Sequence, residues 1–364
     1  MTVLISGGAG FIGSRLIPLL SRVGLAVVVL DNLHPQVHGP SQSVPRFLAD
    51  HDVSFHLGDV ADPSVWNRVL ADVTPSVVVH LAAETGTGQS LREAARHAEV
   101  NVTGTAVMLD ALVRAERLPK RVVLTSSRAV YGEGAWIERE TGARFYARPR
   151  GPKQLRTEQW DPIGPNGEPA DFVPHAAAEV EARPTNVYAA TKLAQENILG
   201  AWATAIDVEL MVLRLQNVYG AGQAVGNPYT GVLTFLARQL LAGEVLSIFE
   251  GGGIVRDFVH VSDTARVIAR CVEAPIDSAG AGDRYPRTFD IGSGAHGTLE
   301  EYARVLASNV SGGEVRITAD YRLGDVRAAY ADISAAEAEL GYAPKVSFEE
   351  GAVELLGWVA SEIR

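Results

Sequence analysis

Tyr188 and Lys192 stand four residues apart in Tyr188-Ala189-Ala190-Thr191-Lys192. On a helix that spacing puts both side chains on one face. An ammonium beside a phenol stabilises the phenolate and lowers its pKa, which makes Tyr188 a usable general base near neutral pH. The same spacing also describes an ordinary exposed helix pair. Two features favour the chemical reading. Lysine is scarce, occurring only at positions 120, 153, 192 and 345, and a hydroxyl-rich strand end, Thr125-Ser126-Ser127, lies upstream.

A second cluster lies at the N-terminus. Gly7, Gly10 and Gly13 follow a short apolar run and lead into a helical period that begins with Phe11 and Ile12. Glycines so spaced allow a tight turn and close backbone approach to a pyrophosphate, which then sits at the positive end of the helix dipole. Asp31 ends the next apolar run, 18 residues beyond Gly13. A carboxylate there accepts hydrogen bonds from ribose hydroxyls and repels a 2′-phosphate, favouring NAD over NADP. A capping or turn role within Asp31-Asn32-Leu33 is the simpler alternative.

These residues need elements to hold them. Short apolar, often β-branched runs at 3–6, 26–30, 53–57, 77–81 and 121–126 read as parallel strands covered on both faces. Helical periods at 11–23, 65–71, 91–115 and 188–205 alternate with them, and a further strand at 209–215 and a terminal helix at 348–363 follow. The alternation predicts an α/β chain built on a Rossmann-type doubly wound parallel sheet. Residues 133–185, rich in Pro, Gly, Arg and Glu, break the pattern and read as an ordered excursion or lid.

Composition narrows the function classes. The 364 residues are 47% hydrophobic and 21% charged, an ordinary globular balance. A net charge of −11 disfavours general nucleic-acid binding. The lone Cys271 excludes an intramolecular disulfide and a cysteine-rich zinc site. His34, His38, His175 and His260 match no usual metal-ligand spacing, so no metal is expected. No secretion signal and no apolar run near the ~20 residues of a membrane span is visible, so a cytoplasmic protein without a membrane partner is expected.

The motifs occur in an order that resembles the extended short-chain dehydrogenases/reductases that modify nucleotide sugars. After the glycine turn and Asp31-Asn32-Leu33 come Gly58-Asp59-Val60, His80-Leu81-Ala82-Ala83, and Asn101 with Gly104 and Thr105. Then follow Ser127-Arg128-Ala129-Val130-Tyr131-Gly132, the Tyr188/Lys192 pair, Arg214 with Asn217-Val218-Tyr219-Gly220, and Arg256-Asp257-Phe258-Val259. The resemblance implies that Gly7, Gly10, Phe11, Ile12 and Gly13 hold NAD, with Asp31 and Asn32 on its ribose. It places Asp59 and Val60 at the adenine, Leu81, Ala82 and Ala83 beside the nicotinamide half, and Asn101 near the active site. Ser127 would bond the reacting sugar hydroxyl, Tyr188 would take its proton, and Lys192 would bind the nicotinamide ribose. Thr85, Asn217, Arg256 and Arg322 fall at substrate positions, the last three at the nucleotide diphosphate. A guanidinium suits a phosphate because its donor fork matches two oxygens.

Within that family, 4,6-dehydratases carry Thr-Asp-Glu where this chain has Ser127-Arg128-Ala129. The intact Ser127/Tyr188/Lys192 set with Asp31 resembles the C4 epimerases, in which NAD takes a hydride from C4 of the sugar, the 4-keto sugar turns over, and the hydride returns. The stretches around Thr85, Asn227-Pro228-Tyr229-Thr230-Gly231 and Phe249-Glu250-Gly251 resemble the dTDP-L-rhamnose 4-epimerase group, and Thr85 departs from the lysine that some UDP-hexose epimerases carry. The expected substrate is a dTDP- or UDP-linked hexose or 6-deoxyhexose. A ketoreductase or dehydrogenase on the same residues is the alternative, followed by a 4,6-dehydratase and a non-catalytic NAD-binding protein. Relatives pair through two helices per subunit, which implies a homodimer. The pattern also implies a chain that crosses between units: residues 1–215 with 255–273 form the NAD-binding unit, and 216–254 with 274–364 a smaller mixed α/β unit for the nucleotide sugar.

Overall fold

The structure is a computed structural model that describes residues 1–40, 42–227, 231–275 and 286–363. Five strands, β1 (Thr2–Ser6), β2 (Ala26–Asp31), β3 (Ser54–Leu57), β4 (Val77–His80) and β5 (Arg121–Ser127), are joined by two more, Glu209–Leu215 and Arg287–Ile291. They form one seven-stranded sheet in the order Arg287–Ile291, Glu209–Leu215, β5, β4, β1, β2, β3. Every pairing in it is parallel. Successive strand residues face opposite sides, so Val3 and Ile5 join the core under the Phe11–Arg22 helix while Leu4 joins the core on the other face. The order reverses at β1, which opens a crevice beyond the strand ends between β1 and β4.

Two sequence expectations change. Residues 91–115 are not one helix. They hold a short helix at Ala94–Ala98, a π-turn at Glu99–Thr103 and a helix at Gly104–Arg114. The wider turn brings the Asn101 side chain inward, where it is fully buried and bonded to the backbone of Glu84. The smaller unit also does not own all of 274–364. Arg287–Ile291 pairs with Met211–Leu215 as the edge of the large sheet, because its Phe289 and Ile291 complete the core beneath it.

The smaller unit packs helices Val232–Leu241, Leu299–Ser308 and Phe348–Glu362 around the strand pair Leu246–Ile248 and Val315–Ile317. The 133–185 excursion is folded. Ala135–Glu138 is the middle strand of a three-stranded antiparallel sheet with Arg144–Tyr146 and Ala170–Phe172. Among the described residues no helix is long and apolar enough to cross a membrane.

Candidate active site

The turn after β1 is shaped by backbone contact. Gly7 has φ +72°, and a Cβ there would stand 2.6 Å from Ala82 N. A Cβ on Gly13 would meet Gly8 O at 2.0 Å, so only glycine lets the Phe11–Arg22 helix sit this close to the turn. Above them lies a cavity of about 330 Å³. Gly7, Gly10, Phe11 and Ile12 form one wall, Asp31, Asn32 and Val60 another, and Leu81, Ala82, Ala83 and Thr85 a third. The helix N-terminus has no side-chain cap, so its backbone N–H groups face the space where a pyrophosphate would sit.

Asp31 serves both as a turn residue and as a cavity wall. Its Oδ2 accepts from Ala9 N at 3.0 Å and its Oδ1 from Leu33 N at 2.9 Å. These bonds hold the carboxylate at the cavity in one rotamer. Gly13, Asp59 and Asn101 stand behind the wall. Asp59 accepts from Asn32 Nδ2 and from Ala61 N, each at 2.9 Å. Asn101 donates to Thr191 Oγ1 at 2.9 Å and so ties the Glu84 segment to the helix that carries Tyr188 and Lys192. The groups needed to hold a dinucleotide are therefore present in one place.

The Val187–Ala205 helix starts from an Asn186 cap, whose Oδ1 accepts from Ala189 N at 2.9 Å. At the second position of the helix, the Tyr188 phenol lies beside Ser127 at the end of β5. Burial pushes the phenol up, while the Ser127 hydroxyl and the Arg128 guanidinium pull it down. The spacing argument points to Lys192 as the neighbouring cation; Arg128, directly after Ser127, is a further cation that acts on the phenol. Lys192 is buried and donates to Gln195 Oε1 at 2.5 Å, and burial brings its ammonium down to about 7, against the pull of Glu196. Gln195 in turn donates to Thr105 Oγ1 at 2.9 Å. Thr105 and Ser6 flank His80 at 3.0 and 2.5 Å, and burial holds His80 neutral with a pKa of about 3.

The expected diphosphate cations are placed differently from one another. Arg256 is buried, donates to Val255 O at 2.7 Å and Val326 O at 2.9 Å, and is brought down to about 9 by burial and by Arg128. Asn217 Oδ1 accepts from Arg128 Nε at 3.1 Å. Arg322 is exposed and lies 5.5 Å above the Phe249 ring. Pro228, Tyr229 and Thr230 lie outside the described residues.

Sequence reasoning passed over several charged groups here. Arg128 was read only as the absence of a dehydratase acid, although its place directly after Ser127 was a usable signal. Arg150, Glu250 and Arg327 form a buried cluster in which Glu250 bonds Arg150 at 2.6 Å and lies 3.5 Å from Arg327. Their separation along the chain left no local pattern. Among the described residues no three His, Cys, Asp or Glu side chains gather to hold a metal. His175 stacks on Tyr131 at 4.2 Å, while His34 and His260 cap short and long helices. His38 lies 3.8 Å from Asp31.

The sequence model of the NAD dependent epimerase/dehydratase family matches residues 3–152 and 164–292. The chain is 42% identical over 362 residues to a dTDP-L-rhamnose 4-epimerase of Burkholderia thailandensis, covering 99% of this chain and 95% of that one. It is 29% identical to a UDP-glucose 4-epimerase of Mycolicibacterium smegmatis, covering 96% of each. Among solved structures, a UDP-glucose 4-epimerase of Thermotoga maritima with UDP-glucose aligns over 100% of both chains at 27% identity and a TM-score of 0.75. A UDP-glucose 4-epimerase of Thermus thermophilus in complex with NAD aligns over 99% of both at 26% and 0.74.

Proposed function

The chain belongs to the NAD dependent epimerase/dehydratase family, and from that premise we propose that it inverts C4 of a nucleotide-linked sugar through a transient 4-keto sugar. The observation that carries this reading is the placement of Ser127 beside the Tyr188 phenol with Arg128, and no carboxylic acid, as the next residue in the chain. Elimination of water needs an added acid at that place, whereas proton removal from a hydroxyl needs only a base held in geometry.

Bound NAD would supply the hydride acceptor and donor for C4. The chain's own residues do the rest. Tyr188 takes the C4 hydroxyl proton and later gives it back, and Ser127 holds that oxygen in line. Lys192 orients the ribose beside them, and its burial makes each of its hydrogen bonds stronger than in water. Burial raises the Tyr188 phenol above its usual value overall, and Arg128 offsets part of that rise by stabilising the phenolate. Asn217, Arg256, Arg322 and Thr85 hold the nucleotide diphosphate and the sugar. Asp31 would select NAD by receiving the ribose hydroxyls, with Gly7, Gly10, Phe11 and Ile12 at the pyrophosphate and Gly13 holding the helix close behind them. Val60 would line the adenine, with Asp59 behind the wall holding Asn32, and Leu81, Ala82 and Ala83 would line the nicotinamide half.

The substrate is a dTDP-linked 6-deoxyhexose, the class named by the 42% identical relative, with UDP-hexoses as the comparison set. The working form is a homodimer in the cytoplasm, paired through the Gly104–Arg114 and Val187–Ala205 helices. Purified protein incubated with dTDP-L-rhamnose and UDP-sugars should interconvert C4 epimers with no net NADH. Stoichiometric NADH formation would make it a dehydrogenase instead, and light scattering checks the dimer.

A further inference from the structure

The 133–185 insertion has no part in the chemistry described above, yet it is bonded to the smaller unit at several places. Its Arg150 is 5% exposed and gives four hydrogen bonds. Two go to the Glu250 carboxylate at 2.6 and 3.1 Å, one to Trp160 O at 2.8 Å, and one to Asp325 O at 2.7 Å. Asp161, also in the insertion, accepts from Arg327 Nε at 2.7 Å. Farther on, the backbone of His175 donates to Tyr330 O at 2.8 Å and accepts from Asp332 N at 2.9 Å. The insertion thus grips one segment, residues 325–332, from three places.

That segment presents the cations of the substrate site. Arg256 Nη2 donates to Val326 O, and its strand, Val255–Arg256, pairs with Ala328–Ala329. Arg322 enters the same segment through a turn closed by Asp325 N to Arg322 O at 3.3 Å. Beneath Arg322 lies Phe249, the residue before Glu250. Arg150 therefore fixes both the floor under Arg322 and the carbonyl at the end of its turn. A buried guanidinium with every bond directed at a carboxylate or carbonyl holds its partners more rigidly than apolar packing of equal area.

We propose that the insertion is a strap that sets the nucleotide-diphosphate site, with Arg150 the positioning residue that presents Arg256 and Arg322 to the two phosphates. The strap touches neither the sugar nor the reacting atoms. It acts on affinity for the diphosphate and leaves proton transfer at Tyr188 alone. The inference rests on the nucleotide-sugar reading above.

The test uses the NAD-loaded protein with dTDP and UDP as probes, titrated by calorimetry, beside steady-state kinetics on the nucleotide sugar. In Arg150→Met, diphosphate affinity should fall about tenfold or more and KM should rise with it, while kcat changes less than about threefold and bound NAD is retained. Asp161→Asn removes one grip whose side chain is 61% exposed, so it should fold and weaken the diphosphate by about two- to fivefold. Unchanged affinity in Asp161→Asn, together with unchanged affinity or failed folding in Arg150→Met, overturns the strap and leaves Arg150 a purely structural residue. A loss of kcat without a loss of affinity overturns it as well. Wild-type protein that binds neither diphosphate overturns the substrate reading and the strap together. Binding without epimerisation removes only the proposed reaction.

Discussion

Arg128 Nε donates to Asn217 Oδ1 at 3.1 Å, joining the residue after Ser127 to a strand 89 positions later. The same guanidinium lowers the Tyr188 phenol. Arg128 thus links the residue proposed to take the proton to one proposed to hold the diphosphate. Arg128→Met should raise the pH at which kcat reaches half its plateau, by about one unit, because a phenolate that loses a nearby cation forms at higher pH. KM should rise in the same variant. A pH–rate profile that does not move would show that Arg128 acts only on binding.

Tyr188→Phe removes the proton acceptor and keeps the ring. Its kcat should fall by about 10²–10⁴-fold, the usual contribution of a positioned acid–base group. Bound NAD, measured by absorbance after denaturation, should stay at the wild-type level. Activity equal to wild type would assign the proton to another group.

Gly13→Ala tests the packing of the turn. A methyl group 2.0 Å from Gly8 O forces the helix away from the strand, at a cost of about 1–3 kcal/mol. Thermal unfolding should show a lower Tm and less copurified NAD. An unchanged Tm would mean that the turn has room that its geometry does not display.

The buried Lys192 makes a pH prediction whose sign is fixed. Its folded pKa is lowered to about 7 from the usual value near 10.5. Between those values the unfolded chain binds more protons than the folded one, so this group adds stability as pH rises, by at most about 1.4 kcal/mol per pH unit. Below about pH 7 the cost of burying the charge is present in full. In NAD-free protein, Lys192→Met should therefore gain most over wild type at pH 6 and least near pH 10. Parallel Tm curves for the two proteins across that range would contradict the burial argument.

Much of this protein was legible because its signals are local. The glycine turn, Asp31 at the end of β2, and the Tyr188/Lys192 pair each lie within one strand, turn or helix, where backbone sterics and a 2- or 3.6-residue period act over a few positions. Six of the seven strands of the large sheet followed from their apolar, often β-branched runs for the same reason. The apolar period over 91–115 is continuous and so shows one helix; it carries no sign of the π-turn at Glu99–Thr103, in which Asn101 bonds the backbone of Glu84 across space.

The rest is a matter of long-range pairing. That Arg287–Ile291 returns to the large sheet depends on Phe289 and Ile291 finding a core built from other segments. That Arg128 comes to act on Tyr188 depends on how β5 meets the Val187–Ala205 helix. The Arg150–Glu250 pair spans 100 positions of chain. Sequence types alone showed that arginines and carboxylates are plentiful, not which of them meet. Folding chose which of them lose their water to each other, because a buried charge is tolerable only where its partner has been brought to meet it.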